Sequence, residues 1–381
     1  MDNAATTRVM PEEMELLEKI LVEDYGNPSS LHRKGQMAER HLMDARQTVA
    51  SILKTEPKRV FFTSCATESI NTALRGAALK QKRFGRHILT SKGEHAAVRE
   101  TLKDLENQGF KIEYLEQDAS GRILESDLEE KLRDDTILVT LIHVNNETGC
   151  IQPVDTIGSL IRQKSSRALF HVDATQSFCK YPLYPDRYGI DLLSASGHKI
   201  NAPKGIGLLY KGQRASIGPL LSGGGQESGF RSGTENVAFA ACFAFAASTM
   251  WEERSELMER LMSLKRLAWE ELKAVPDVFI NGPSVDEGAA HILSIRVSGV
   301  RSEVLLHALE DDGIYVSSGS ACSSNKPEEK SPTLHALGFT PAQMDETIRI
   351  SFGRYSAEED VMALSAAVKR LVPVLRRFSR K

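Results

Sequence analysis

Asp173 and Lys199 stand out first, each just past an apolar run. Asp173 lies in "HVDATQ" (171–176) and Lys199 closes "SASGHK" (194–199). Thr67 follows "RVFFT" (59–63), His95 follows "RHILTS" (86–91), and Asn145–Asn146 follow "TILVTLIHV" (136–144) in the same way. Each alone says little. An Asp after a strand usually caps a turn, a lone His is more often structural, and a Lys near "PKG" (203–205) is most often solvated. Their joint arrival at strand ends is different, because ligands of open α/β sheets bind beyond the carboxyl ends of the strands. The chemistry that fits is that of pyridoxal 5′-phosphate (PLP). It needs a lysine for a Schiff base and an acid that keeps the pyridine nitrogen protonated. The lysine must be partly desolvated for its amine to react. The phosphate needs hydroxyls and amides at a helix N-terminus. "TSCATES" (63–69) supplies one such cluster around Thr67, and Ser196 and His198 supply another immediately before the lysine. Lys204 is the rival Schiff-base residue. Lys199 is preferred because it directly follows the phosphate-type residues, whereas Lys204 sits in a Pro/Gly turn.

These residues must be held by a sheet. From about 58 to 211, seven β-type runs (59–63, 86–91, 111–117, 136–144, 168–172, 191–196 and 205–210) alternate with helical stretches such as 94–109 and 154–164. Several are unbroken apolar runs, as expected for strands covered on both faces. Gly109 is a fitting helix stop. The pattern predicts an α/β domain with a mostly parallel seven-stranded sheet. After a long helical region (234–274), the runs 291–297, 314–318 and 347–353, with helices at 302–313 and about 356–377, predict a smaller α+β C-terminal domain. The expected division is 12–255 for the large domain, and 1–11 with 256–381 for the small one.

Composition narrows the classes. The chain has 381 residues, 41% of them hydrophobic, and a net charge of −3 with both signs interspersed. That leaves no electrostatic footprint for nucleic acid or an anionic membrane. No apolar stretch approaches the roughly 18–20 residues that span a bilayer. "VAFAACFAFAASTMW" (237–251) reads as a buried helix. The start "MDNAATTRVM" has no signal pattern, so a cytoplasmic location is expected. Five widely spaced cysteines (65, 150, 179, 242 and 322) suggest neither a disulfide framework nor a resident metal site. Most should be small buried hydrophobes. Cys322 differs. "SSGSACSSNKPEEKSP" (317–332) is a polar Gly/Ser/Lys/Pro stretch, expected as a mobile, exposed loop.

An ordered set of motifs runs nearly end to end: "DNAATT" (2–7), "GNPSSLH" (26–32), "TSCATES" (63–69), "EHAAV" (94–98), "HVNNETG" (143–149), "DATQS" (173–177), "SGHK" (196–199), "PKGIGLLY" (203–210), "GGGQESGFRSGTEN" (223–236), "SSGSACSS" (317–324) and "IRISFGR" (348–354). On these the chain resembles the NifS/IscS-like cysteine desulfurases, PLP enzymes of fold type I in the class V aminotransferase family. The resemblance implies that Lys199 carries PLP and that Asp173 pairs with its pyridine nitrogen. His95 would stack on the ring and act in proton transfer. Gln176 would bond the phenolic oxygen, and Asn146 would sit beside ring and substrate. Ala66, Thr67, Ser196 and His198 would bind phosphate, with Thr234 reaching it from the partner subunit of a homodimer. Arg349 would clamp the carboxylate of L-cysteine, a bidentate task suited to guanidinium. Cys322 would attack the substrate sulfur, leaving alanine and a persulfide that a mobile loop presents to a sulfur-acceptor protein. It is also the one side chain expected as a transient cluster ligand.

Departures from the family pattern bear on this. Only Met1 precedes "DNAATT", where a short β-type lead is usual; a strand and some stability are expected to be missing. Cys65 stands in place of a common glycine and would be strained if the position takes positive φ. Ala202 replaces the glycine often found before "PKG". The rival enzymes on the same scaffold are a selenocysteine lyase and a class V aminotransferase, the latter with no need of Cys322. A PLP-less scaffold is disfavoured by Lys199, Asp173, His95 and Cys322 occurring together. Iron–sulfur assembly, tRNA thiolation and cofactor synthesis stay open as destinations of the sulfur.

Overall fold

The computed structural model describes residues 1–318 and 331–378. Cys322 and residues 319–330 of its expected loop lie outside the described residues; the ends of that stretch are not loop, since Ser317–Ser318 form a strand, Ser331 is buried and Pro332 opens a helix. The seven expected runs all form strands: β1 (Val60–Thr63), β2 (His87–Ser91), β3 (Lys111–Leu115), β4 (Thr136–Ile142), β5 (Leu169–Asp173), β6 (Leu192–Ser196) and β7 (Gly207–Lys211). They build one sheet in the order β1-β7-β6-β5-β4-β2-β3. From β3 to β6 every pairing is parallel, and β7 runs against β6 and β1.

Apart from the edge strand β3, the sheet is buried on both faces. Successive side chains of a strand point to opposite sides, and the two cores sort accordingly. Phe62, Val139, Leu193 and Leu208 join the core that contains Val49 and Ile157. Their neighbours Phe61, Leu138, Leu192 and Leu209 join the core under the helix Ala66–Gln81. Because β1, β2, β4, β5 and β6 run the same way, the residues after Thr63, Ser91, Ile142, Asp173 and Ser196 gather along one edge.

A second, antiparallel sheet has the order β10-β11-β9-β8, from β8 (Val278–Ile280), β9 (Ile292–Val297), β10 (Ser317–Ser318) and β11 (Thr347–Ser351). The helices Arg254–Leu272, Ser302–Glu310 and Glu358–Phe378 accompany it. The first residues of the chain reach it: Asp2 bridges Ser351, and Ser351 donates its N–H to the Met1 carbonyl at 2.9 Å.

Three local expectations change. The helical region 234–274 is two helices, Val237–Glu252 and Arg254–Leu272, meeting at Glu253. The run 314–318 forms a strand only at Ser317–Ser318. Cys65 has φ −174°, an extended conformation open to any residue, so replacing glycine there strains nothing. Gly109 takes φ +85° just past the helix Ala96–Asn107, the left-handed stop that glycine permits. Cys150, Cys179 and Cys242 are buried and Cys65 is half-buried. Among the described residues no helix is long and apolar enough to cross a membrane.

Candidate active site

Lys199 is delivered by a fully buried strand and a tight turn. After β6 the chain turns through Gly197–Lys199. A Cβ on Gly197 would meet Ile206 Cγ2 at 2.7 Å, so this close approach requires glycine. Lys199 Nζ donates to the carbonyls of Ala4 and Ala5, each at 2.6 Å. Burial pushes its amine down to about 7, helped by the cations Arg349 and Lys180 and opposed by Asp2 and Asp173. Near neutral pH a large share is thus the free amine. Lys204 is exposed.

Asp173 ends β5 and is 1% exposed. Its Oδ1 accepts from the N–H (2.9 Å) and Oγ1 (2.5 Å) of Thr175. Among the described residues nothing donates to Oδ2. His95 caps the helix Ala96–Asn107, and its Nδ1 accepts from the Ala97 N–H at 3.1 Å. The ring hydrogen therefore sits on Nε2. Burial lowers the pKa of this histidine, with Asp173 opposing and Lys199 and Arg99 adding to the effect. Beneath it Glu94 is buried; its Oε1 accepts from Ser91 Oγ (2.6 Å) and the Ile142 N–H (3.0 Å), tying the ends of β2 and β4 together. Burial pushes its carboxyl up to about 8.

A corner for an anion forms where the helix Ala66–Gln81 begins. No described residue accepts from the N–H of Ala66 or Thr67, as expected for a first helical turn. Ser196 and His198 face the same corner. His198 Nδ1 lies 3.3 Å from Thr6 Oγ1. Burial, then the cations Lys199, Lys204 and Lys180, push His198 down to about 4, so it is neutral near pH 7.

Arg349 enters from β11. Nη1 donates to the Asn146 carbonyl at 2.8 Å; Nη2 donates to Asp2 Oδ1 at 3.0 Å and to Ser317 Oγ at 2.9 Å. Its Nε is buried and has no partner among the described residues. Gln176 Nε2 donates to the Ala4 carbonyl at 2.9 Å.

One cleft of about 400 Å³ collects these groups. Ala66, Thr67, His95, Asn146, Asp173, Gln176, Ser196, His198, Lys199 and Arg349 all line it. Thr234 does not; it is exposed in a separate groove with Ser64, Glu227 and Arg231. Residues given no role from the sequence also line the cleft or brace it. Ala4 and Ala5 offer main-chain carbonyls, a task that no residue type announces. Glu147 accepts from Ser331 Oγ (2.5 Å) and Thr333 Oγ1 (3.1 Å), anchoring the short helix Pro332–Ala336 beside the cleft.

Comparison with known proteins places this geometry. The family model for the aminotransferases of class V matches residues 1–364. The chain is 41% identical to the cysteine desulfurase IscS of Klebsiella pneumoniae subsp. pneumoniae, covering 100% of this chain and 94% of that protein. It is 39% identical to a NifS/IscS protein homologue of Lactobacillus delbrueckii subsp. bulgaricus, covering 96% and 95%. The chain belongs to the NifS/IscS branch of the class-V aminotransferases. A solved NifS-like protein superposes on this family member with a TM-score of 0.92 at 36% identity, covering 98% of this chain and 99% of that one. NifS/IscS-type enzymes use PLP, and the residues present fit that group. The anion corner has two open main-chain N–H groups and a neutral histidine. Asp173 Oδ2 is free to meet a protonated ring nitrogen, and the Lys199 amine is partly unprotonated at neutral pH.

Proposed function

We propose that this cysteine desulfurase, a PLP-dependent transferase, takes the sulfur of L-cysteine onto Cys322 and passes it as a persulfide to an acceptor protein. One observation carries the reading. Lys199, Asp173, His95 and Arg349, from four separate elements, converge on a single cleft also lined by Ser318 and Pro332, which flank the stretch containing Cys322.

Lys199 would carry the cofactor. Asp173 would face its ring nitrogen through Oδ2, His95 would lie against the ring, and Gln176 and Asn146 would meet its edge. Ala66, Thr67, Ser196 and His198 would hold the phosphate, joined by Thr234 of a second copy. When bound, PLP supplies an electron sink for bonds at the α-carbon of an amino acid. The chain's own residues do the rest. Arg349 receives the carboxylate of L-cysteine with the donors that Asn146, Asp2 and Ser317 leave free. Lys199 takes and returns protons at Nζ, and His95 presents a hydrogen at Nε2. Cys322, as the thiolate, attacks the substrate sulfur. An S–S bond forms, the C–S bond breaks, its electron pair stays with carbon, and a proton completes L-alanine.

The proposal includes a two-fold homodimer, a cytoplasmic location, and a division into 12–255 and 1–11 with 256–381. The acceptor would be an iron–sulfur scaffold or a thiolation enzyme acting on tRNA or a cofactor precursor. Holoenzyme given L-cysteine and a thiol is expected to release alanine and sulfide in equal amounts. Cys322→Ser should still bind L-cysteine, seen as a change in cofactor absorbance, and release no sulfide. Sulfide release by the serine variant would overturn the role of Cys322.

A further inference from the structure

Seven residues beyond Asp173, Lys180 is buried at 8% exposure, with its Nζ donating to the main-chain carbonyl of Lys199 at 2.9 Å. Among the described residues it forms no ion pair. A buried ammonium without a counter-ion is costly, and a neutral side chain of similar shape would serve a purely packing role better. Its surroundings deepen the cost. His291, buried nearby, lies within the electrostatic reach of Lys180, Lys265 and Arg349, which with burial hold it well below the usual histidine range. Lys265, 2% exposed, donates to the carbonyl of Ala289 at 3.1 Å and is within the electrostatic reach of Asp286. Cations are thus gathered behind the cleft.

We propose that Lys180 is a positioning residue for Lys199: its ammonium holds the turn that carries Lys199 and keeps the Lys199 amine available as a neutral nucleophile. The groups that face Lys199 are Asp2 from the N-terminal segment, His95 from its helix cap, Asp173 from β5, its neighbour His198, Lys180, and Arg349 from β11. The two acids favour the protonated amine. Lys180 and Arg349 oppose it, and Arg349 is already engaged by Asp2 at 3.0 Å. Among the described residues, Lys180 is the one of the two that pairs with no carboxylate. Burial also pushes its own amine down to about 8, so it is charged at neutral pH and loses its effect at alkaline pH.

The inference rests on Lys199 being the cofactor-bearing lysine, which borohydride reduction and peptide mapping of the wild-type holoenzyme decide first. A label on Lys204 overturns both readings. With the label on Lys199, Lys180→Met, Lys180→Gln and Lys180→Arg are compared by pH titration of the cofactor absorbance without substrate. Removing a cation that disfavours protonation of Lys199 should move the midpoint alkaline by about one unit in the Met and Gln variants. Apoenzyme of these variants should capture PLP about fivefold more slowly at pH 7, because a one-unit shift from about 7 lowers the free-amine fraction by that factor. Lys180→Arg, which keeps the charge, should titrate with the wild type. A midpoint unmoved by Met or Gln, or moved as far by Arg as by Met, overturns the role of Lys180 while leaving Lys199 in place.

Discussion

Arg349 donates through Nη2 to Asp2 Oδ1 at 3.0 Å, across 347 residues of chain. The guanidinium that faces the cleft is therefore aimed from three sides, by Asp2, Ser317 and the Asn146 carbonyl. Arg349→Gln should raise the KM for L-cysteine about 100-fold, since charge-assisted hydrogen bonds to the carboxylate are lost. Asp2→Ala should raise it by about tenfold or less, because two of the three restraints remain. Steady-state kinetics with L-cysteine measures both. An unchanged KM in Arg349→Gln would place the carboxylate elsewhere.

Asp173 has one oxygen committed to Thr175 and one left for a ligand. Asp173→Asn retains the bonds that hold the turn but loses the charge. We expect an unchanged far-ultraviolet circular dichroism spectrum and a kcat lowered by about 100-fold or more, the scale of one lost electrostatic contact to a developing charge. Near-normal turnover would mean that the acid is another residue.

Thr234 is exposed in a groove apart from the cleft. If it completes the phosphate site of a second copy, activity per subunit should fall on dilution as dimers dissociate. Thr234→Val should release PLP about tenfold more readily, as expected for one hydrogen bond to a charged group. Sedimentation at assay concentration, read alongside activity, tests this. A fully active monomer contradicts it.

Glu13 is 0% exposed, and among the described residues no cation pairs with its carboxyl group. Burial pushes it up to about 8, from 4.5 in an ordinary glutamate. Between those values the unfolded chain releases the proton and the folded protein keeps it. Stability attributable to this group therefore falls as pH rises through that window and levels off above about 8. Glu13→Gln should raise the melting temperature at pH 8 and change it little at pH 5, measured by scanning calorimetry. Equal shifts at both pH values would exclude proton release by Glu13.

Strands with both faces buried were legible because apolar residues dominate them without a regular polar alternation; all five residues of β5 and of β6 are buried, the few polar ones included. Val278–Ile280 was not. It is a three-residue edge strand with only Val278 buried, too short for any period to register. The side chains that face a ligand were readable from residue type and position after a strand. Those that act through the main chain were not. "DNAATT" is visible as a motif, but that Ala4 and Ala5 offer carbonyls to Lys199 depends on a fold joining residues nearly 200 apart. Lys180 was missed for a related reason. A lysine in sequence looks solvated, and only the tertiary structure reveals that it is buried.

The pairing of the first residues with β11 also sets an order of events during synthesis. Asp2 leaves the ribosome early, while Arg349 and Ser351 follow some 347 residues later. At about 5–20 residues per second that is a wait of roughly 20–70 s. The large sheet, all of whose strands lie before residue 212, can assemble in that interval. The nascent chain would then display Lys199 and Asp173 before the residues that enclose them from β11 exist. A chaperone or early-bound PLP would act on this half-built crevice, and pulse-labelled, ribosome-arrested chains ending near residue 300 would be the material in which to look for cofactor capture.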